Sequence, residues 1–235
     1  MSTPYFSFKQ FSIHHDRCAM KVGTDGVLLG AWASVPESGH ILDIGCGSGL
    51  ISIMMAQRSL AQVTGIEIDA NAASQAAENC KESPFSERLS IVCKDINAFS
   101  PTGLYESIVS NPPFFNEQTT APKAARRTAR STADGLTHKA LLDNVARLLK
   151  KEGIFSAIVP YPTAQSLISM ASDKGLQLTR RTDVTTRPGI PPKRSLLEFS
   201  LTDKPVPMQT DSLPLCTETG QRTKEYSSLT RDFYL

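Results

Sequence analysis

The sequence predicts an α/β fold, in which a mostly parallel sheet is covered by helices on both faces and ends in an antiparallel hairpin. Strand-like and helix-like segments alternate from residue 41 to residue 175, which is typical of a parallel sheet. Two later strand-like segments, 177–184 and 195–201, are joined by a loop too short for a crossover helix, so they should pair antiparallel. The length of 235 residues suits one such unit.

The elements follow one another without a linker that would separate two domains. We therefore predict one domain with an N-terminal helical cap (1–40), a core (41–202) and a tail (203–235) that packs back through its aromatic residues. Apolar, β-branched runs predict the core strands at 41–44, 63–68, 89–93, 105–110 and 153–160. Helix-forming segments predict helices at 50–57, 70–81 with Asp69 as its N-cap, 141–149 and 163–174. In the cap, 26–33 is predicted to be an amphipathic helix with Asp25 as its N-cap.

Composition excludes several classes of protein. The net charge of +2, with 40% hydrophobic and 20% charged residues, is ordinary for a globular chain and unlike a disordered one. No apolar run approaches the ~20 residues of a membrane span, and the first residues lack a secretory signal. We therefore expect a cytoplasmic protein without a membrane partner, either a monomer or a weak homodimer. The five cysteines are widely spaced and form no C-x-x-C pair, so we predict no metal site.

A glycine-rich loop joins the first core strand to the next helix. It reads Asp43-Ile44-Gly45-Cys46-Gly47-Ser48-Gly49, and its glycines allow a tight turn with a ligand against bare amides at the helix N-terminus. The spacing is not the G-x-G-x-x-G of dinucleotide sites, and an acid two residues before the first glycine would repel a pyrophosphate. The same acid suits the ammonium group of S-adenosylmethionine. The loop therefore predicts a site for that methyl donor.

Acidic residues near the ends of the next two strands fit the rest of such a ligand. Glu67 lies 22 residues after Gly45, where its carboxylate can accept hydrogen bonds from both ribose hydroxyls, with Ile68 beside it. Asp95 can accept from an adenine amino group, and Ile96 offers a backbone amide and an apolar contact.

The motif Asn111-Pro112-Pro113-Phe114 follows the fourth core strand and indicates which atom is methylated. An exocyclic amine or an amide nitrogen is a poor nucleophile because its lone pair is delocalised. An asparagine oxygen and a proline carbonyl can each accept one N–H and so align that lone pair with a methyl group, and we also place Asn111 against the donor. The prolines stiffen the backbone, and Phe114 offers a stacking face worth ~1–3 kcal/mol. On its own, the motif marks in most proteins only a strand that prolines terminate, but its place one strand beyond the predicted donor site favours the catalytic interpretation.

At these residues the chain resembles Rossmann-like class I S-adenosylmethionine-dependent methyltransferases that methylate amino groups. The segment from His15 to Trp32 also resembles the N-terminal signature of bacterial tRNA1(Val) adenine-N6-methyltransferases, and 225–235 resembles that family's ending. The resemblance covers essentially the whole chain. It implies N6-methylation of the adenine 3′ of the anticodon, position 37, with tRNA as partner and S-adenosylmethionine as cofactor.

The resemblance also carries structural expectations. It implies a sheet of seven strands whose last two form the hairpin, and it implies that Lys21, Thr24 and Asp25 help to close the cofactor pocket. One position departs from the family pattern, because Phe114 stands where relatives often carry tyrosine. The stacking face is kept there, but a phenolic hydroxyl is lost.

Two basic clusters are candidates for contact with RNA phosphates. The first follows the Asn-Pro-Pro-Phe motif without any acidic residue, and the second belongs to the loop and strand start of the final hairpin. Both would lie beside an extruded base. Their members are Lys123, Arg126, Arg127 and Arg130 in the first cluster, and Arg187, Lys193 and Arg194 in the second.

Other functions share part of this evidence. A guanine-N2 rRNA enzyme or a protein glutamine-amide enzyme would have the same fold and cofactor and can use an Asn-Pro-Pro-aromatic motif. A non-catalytic RNA-binding module is a third class. The basic loop disfavours a protein substrate, and the full set Asp43, Glu67, Asp95 and Asn111 disfavours a module without catalysis.

Overall fold

The computed structural model describes residues 4–112 and 136–235. Its strands are β1 (Tyr5–Ser7), β2 (Ser12–His14), β3 (His40–Ile44), β4 (Gln62–Glu67), β5 (Leu89–Cys93), β6 (Tyr105–Ser110), β7 (Leu149–Pro160), β8 (Leu176–Thr185), β9 (Arg194–Leu201) and β10 (Gln209–Pro214). Its helices are α1 (Thr24–Trp32), α2 (Leu50–Arg58), α3 (Ala70–Glu82), α4 (His138–Leu148), α5 (Tyr161–Ser172) and α6 (Lys224–Thr230). Within the described ranges, none of the helices is long and apolar enough to cross a membrane.

One mixed sheet forms the centre of the described structure, with the strand order β10-β8-β9-β7-β6-β3-β4-β5. Neighbours β7, β6, β3, β4 and β5 pair in parallel, whereas β9 is antiparallel to both β7 and β8. The predicted α/β fold and its C-terminal antiparallel hairpin are therefore confirmed. The predicted number of seven strands is wrong, because the sheet has eight.

The additional strand is β10, which adds to the edge of the sheet from within the tail. It pairs in parallel with β8, from Gln209 opposite Arg180 to Pro214 opposite Thr185. Its polar residues and its terminal proline give no strand signal, and only the side chain of Leu213 is buried. An edge strand tolerates both features because one of its sides has no ladder to complete.

The N-terminal segment also differs from the predicted helical cap. Its first part is an antiparallel hairpin of β1 and β2, and only α1 is helical. This helix is not amphipathic, since every residue from Gly26 to Trp32 is buried between the sheet and the helices α2 and α6. The close approach to α2 requires glycine, because a Cβ at Gly30 would lie 2.5 Å from the sulfur of Met54. The N-cap residue is Gly23, without a side-chain hydrogen bond, so the prediction of Asp25 as the cap is wrong.

The core has a layer on each face of the sheet. On one face, α4 and α5 pack on apolar residues that include Phe155 and Phe199, whose stacked rings have centroids 5.9 Å apart. On the other face, α1 and α2 pack on Ile41, Val109 and Leu196. The tail contributes to this second side through the buried Tyr226 and Phe233.

A polar network joins the end of α1 to the C-terminal hairpin. The indole nitrogen of Trp32 donates to the Thr182 hydroxyl at 3.0 Å, and both residues are buried. The Arg180 guanidinium lies 3.7 Å from the centroid of the Trp32 ring and donates to the Glu198 carboxylate at 3.0 Å. The same carboxylate accepts the amide of Ser34 at 3.1 Å. These contacts fix the end of α1 and the residues after it to strands that lie 150 or more residues later in the chain, at Thr182 and Glu198.

We expect the Trp32–Thr182 hydrogen bond to contribute about 1 kcal/mol to the free energy of unfolding. A double-mutant cycle of Trp32→Phe and Thr182→Val isolates this contribution, because the altered packing of each single variant cancels in the coupling energy. Urea unfolding of the four proteins measures it. A coupling energy of zero would show that the bond does not stabilise the fold.

Candidate active site

The register of three neighbouring strands brings the predicted site residues together. Ile44 of β3 lies opposite Ile66 of β4 and opposite Ser110 of β6. The next residues along the three strands are Gly45, Glu67 and Asn111, which therefore lie at one level at the carboxyl edge, with strands about 4.8 Å apart. The chain order reverses at β3, and such a switch point is where open α/β sheets bind ligands.

The glycine loop presents bare backbone to open space. Gly45 and Gly47 have φ angles of 73° and 53°, in the left-handed region, and a Cβ at either position would meet no described atom within 4 Å. The open space beside these two glycines fits a ligand that lies on the loop.

Several amides of the loop, however, already have partners within the protein. The carbonyl of Ile66 accepts from Gly45 at 2.8 Å and from Cys46 at 3.0 Å. The amide of Gly47 donates to Glu67 Oε2 at 3.0 Å, and that of Gly49 donates to the Cys46 carbonyl at 2.8 Å. The expectation of a row of bare amides is therefore wrong for these four residues. Such a loop gives a ligand a rigid surface, but its amides are not available to bind a pyrophosphate.

Asp43 is fully buried with half of its carboxylate unused. Oδ2 accepts from the Ser52 hydroxyl at 2.7 Å, and Oδ1 has no hydrogen-bond partner among the described residues. Burial raises the pKa of Asp43 to about 7, although the hydrogen bonds from Ser52 oppose this shift. A buried, unpartnered carboxylate oxygen is unfavourable on its own, and a ligand cation would satisfy it.

Glu67 and Asp95 occupy the edge beyond Asp43 and also organise the backbone. Glu67 Oε1 accepts the amides of Ile68 and Asp69 at 2.8 and 3.0 Å, so that with Gly47 the carboxylate takes three backbone bonds and keeps about one acceptor position for a ligand. Asp95 is exposed and caps a short turn through Oδ1, which accepts from the Asn97 amide at 2.9 Å. Within the described ranges, no group of three or more His, Cys, Asp or Glu side chains is placed to hold a metal ion.

The apolar residues predicted beside these acids differ in their exposure. The side chain of Ile68 is 58% exposed, whereas Ile96 is buried in the core that α4 and α5 share with the sheet. Ile68 is thus available to a ligand from outside, and Ile96 supports the turn that carries Asp95.

Asn111 stands directly after β6 with its side chain half-buried. Its carboxamide oxygen is buried and has no hydrogen-bond partner among the described residues. Ser110 fixes the strand end below it by donating to the Ile44 carbonyl at 2.8 Å, and Pro112 is buried. Two of the predicted catalytic residues, Pro113 and Phe114, lie outside the described residues.

The residues implied for closing the pocket lie around the start of α1. Lys21 and Thr24 are exposed, and Asp25 is half-buried. The Asp25 carboxylate accepts from Arg194 of β9 at 2.7 Å, so a residue predicted to contact the cofactor is ion-paired with one predicted to contact RNA. Asp25 does not cap its own helix because α1 begins at Thr24, one residue before it.

The structure describes only the second of the two basic clusters. Lys123, Arg126, Arg127 and Arg130 lie outside the described residues. Arg187 and Lys193 are exposed in the loop between β8 and β9, at the same carboxyl edge as Asn111. Their contact with RNA stays a prediction.

Two polar residues of α3 were not predicted, although they hold the pocket wall together. The buried carboxamide of Asn79 accepts the His14 amide at 3.0 Å and donates to the Ser48 carbonyl of the glycine loop at 2.8 Å. One turn earlier, Gln75 accepts from the Arg17 amide and the Cys18 thiol at 3.0 and 3.1 Å. The available signal was two carboxamides four residues apart in a helix otherwise rich in alanine.

The segment held by these carboxamides lies near the acidic part of the pocket. Burial, followed by the negative charges of Glu67 and Asp69, raises the pKa of the Cys18 thiol to about 11. The contacts that hold residues 14–18 are those with Asn79 and Gln75 of α3.

Comparison with known proteins gives a consistent picture. The family model described as "Methyltransferase small domain" matches residues 21–159. A protein from Bacteroides fragilis named tRNA1(Val) (adenine(37)-N6)-methyltransferase is 45% identical over 240 residues, which cover all of this chain and 99% of the relative. Proteins of the same name from Phocaeicola vulgatus and Enterobacter sp. are 47% and 44% identical, over 100% and 98% of this chain and 99% and 94% of their own lengths.

Solved structures support the fold. A predicted O-methyltransferase from Agrobacterium tumefaciens has a TM-score of 0.69 at 18% identity, over 89% of this chain and 96% of that one. The glycopeptide N-methyltransferase MtfA, crystallised with S-adenosyl-L-methionine, has a TM-score of 0.56 at 15% identity, over 77% of this chain and 100% of that one. The sequence relatives cover the whole chain, and the chain therefore belongs to the methyltransferase small domain family and to the proteins named tRNA1(Val) (adenine(37)-N6)-methyltransferases.

Proposed function

We propose that the protein methylates N6 of the adenine at position 37 of tRNA1(Val), with S-adenosylmethionine as methyl donor. The observation that carries the proposal is the buried carboxamide oxygen of Asn111, which has no hydrogen-bond partner in the described parts of the chain and lies one strand away from the open glycine loop. The names of full-length relatives above 40% identity support the choice of substrate.

The residues along the edge match the donor in order. From β5 to β6, the edge carries Asp95, Glu67, the glycine loop with Asp43, and Asn111. Asp95 would accept from the adenine amine and Glu67 from one ribose hydroxyl. Oδ1 of Asp43, which has no partner among the residues that the structure describes, would face the ammonium group. When bound, the donor supplies a methyl group activated by its sulfonium sulfur.

Asn111 and Pro112 make the adenine amine able to react. The carboxamide oxygen of Asn111 and the carbonyl of Pro112 would each accept one N–H of the amine. Two acceptors in fixed positions favour a pyramidal nitrogen, so its lone pair leaves the ring system and points at the methyl carbon. Positive charge that develops on nitrogen is stabilised by both oxygens, and the proton leaves afterwards. No separate base is needed before attack.

The geometry of the site fits two of the alternative functions, and the sequence relatives distinguish them from the proposed one. Guanine N2 and a glutamine amide also present an NH2 group to two acceptors, so the geometry of Asn111 fits them equally. The relatives named for adenine 37 favour adenine. A module that only binds RNA has no use for Asp43, because Oδ1 of its buried carboxylate has no partner among the described residues and calls for a cation.

The experiment that tests the proposal identifies the methylated nucleoside. We expect the purified protein, given labelled methyl donor and total tRNA from a strain lacking the modification, to label N6-methyladenosine after digestion. Label in N2-methylguanosine from rRNA, or in a glutamine side chain, would replace the proposal with that alternative. No label in any of these substrates would contradict an enzymatic function.

We expect Asn111→Ala to lower kcat by about 100- to 1,000-fold, because one acceptor of the amine is lost in the transition state. The dissociation constant of the donor should change little, since Asp43, Glu67 and Asp95 remain. Single-turnover kinetics and calorimetry measure the two quantities separately. Loss of donor binding as large as the loss of rate would mean that Asn111 holds the donor and does not align the amine.

We expect donor binding to depend on the charge of Asp43. Because burial raises the pKa of this carboxyl to about 7, its charged fraction grows as the pH rises through that value. The wild-type affinity should therefore weaken about tenfold for each pH unit below 7. Asp43→Asn should bind weakly at all these pH values, without the slope, in calorimetric titrations.

A matched control is Asp203→Asn, which removes an exposed carboxylate beyond the opposite end of β9. It should keep the wild-type affinity and the wild-type pH slope. An unchanged slope in Asp43→Asn would remove Asp43 from the donor site.

A further inference from the structure

The sheet edge divides at Asn111 into two halves. The strands β3, β4 and β5 carry the residues assigned to the methyl donor, so the RNA must approach over β6, β7, β9 and β8. Asn111 holds the target base at the end of β6. The residues that follow β7 and that join β8 to β9 are therefore the next surface that the RNA meets.

Tyr161 is the aromatic residue at this position. It follows β7 directly and begins α5, and its side chain is 38% exposed. Ser110 lies opposite Ala157, so Tyr161 stands four residues beyond the level of Ser110, or roughly 10–13 Å higher on the adjacent strand. That height is above the target amine, where the nucleotide next to an extruded base would lie.

The ring of Tyr161 is held in place from the sheet. The Arg181 guanidinium lies 5.4 Å from the ring centroid, and it donates to Asp183 at 2.9 Å. Asp183 also accepts from the Ser195 hydroxyl at 2.6 Å, so the cation beneath the ring is fixed by two strands. An aromatic ring with one face against a fixed guanidinium, and part of its surface open, is preorganised for stacking.

The loop 186–193 beside Tyr161 is stiff and positively charged. The amide of Tyr161 donates to the Lys193 carbonyl at 3.1 Å, and the Lys193 amide donates to Val184 at 2.9 Å. Three prolines restrict the remaining backbone, and Gly189 allows its turn with a φ of 75°. The loop contains no acid, and neither Arg187 nor Lys193 forms an ion pair with a side chain in the described parts of the chain. Ile190, in the same loop, is 46% exposed.

We propose that Tyr161 is a stacking platform for an anticodon-loop nucleotide adjacent to the target adenine, with Lys193 and Arg187 on the neighbouring phosphates. An exposed ring next to a loop with two exposed cations, neither in an ion pair within the described residues, is an arrangement that suits single-stranded nucleic acid. Two exposed apolar side chains are too few for a stable protein interface, which buries several hundred Å² on each partner. The inference rests on the proposed function and names a further contact of the same RNA.

The test uses the anticodon stem-loop RNA of tRNA1(Val) with 2-aminopurine on either side of the target adenine. Because stacking quenches 2-aminopurine, the wild type should quench one of the two probes. Tyr161→Ala should abolish the quenching and raise KM for the RNA about 10- to 100-fold, with KM for the methyl donor unchanged. Tyr161→Phe keeps the ring and should behave as the wild type.

Leu104→Ala is the matched control, because this side chain is 45% exposed before β6, at the opposite edge of the sheet. It should leave quenching and both KM values unchanged. Wild-type quenching and RNA KM in Tyr161→Ala would overturn the platform, whereas a wild-type enzyme that forms no N6-methyladenosine would overturn the proposed function instead.

The phosphate contact has a separate readout. Lys193→Gln should reduce the slope of log affinity against log salt concentration by about one, as expected for the loss of one phosphate contact. Lys204→Gln removes an exposed lysine beyond the other end of β9 and should leave the slope unchanged. Equal slopes in both variants would exclude Lys193 from contact with the RNA.

Discussion

The parallel pairing of β3 with β4 and β6 is the constraint on which the rest of the site depends. Because Ile44 is level with both Ile66 and Ser110, the glycine loop, Glu67 and Asn111 emerge side by side at one edge. A shift of one residue in either pairing would turn Glu67 or Asn111 to the opposite face of the sheet. The apolar side chains below, buried on both faces, fix the register and so fix the site.

The buried carboxylate of Asp43 shows how much of the site is organised before any ligand binds. One oxygen is held by Ser52 in the first turns of α2, so the side chain cannot turn away, and the other oxygen is left unpartnered within the described structure. For stability alone, an apolar residue at this buried position would be more favourable than a carboxylate with one unpartnered oxygen. Under the proposed function, the ammonium group of the methyl donor would partner this oxygen.

The parts of the fold that could be predicted from the sequence are those with strong local signals. The bounds of β5 and β6 agree with the predicted 89–93 and 105–110, because apolar runs end there at polar or proline-containing turns. The capping of α3 by Asp69 agrees as well, since its carboxylate accepts the Ala72 amide at 2.8 Å. In these segments local preference and tertiary packing favour the same structure.

The parts that were missed have tertiary causes. Strand β10 is polar and exists because the edge of β8 offers it a ladder. Strand β7 begins at Leu149, four residues before the predicted start. The added residues contain a bulge, with Glu152 at a φ of 62°, that no pattern in the sequence indicates. Asp25 was predicted as a cap but lies inside the first turn of α1 and pairs with Arg194, which lies 169 residues away in the chain. The proposed function also gives a reason for a neutral residue at position 111. Asn111 would stand between the carboxylates proposed to bind the donor and the cations proposed to bind RNA. A carboxylate there would repel the phosphates and hold a sulfonium by charge, whereas a carboxamide would accept from the amine without either effect.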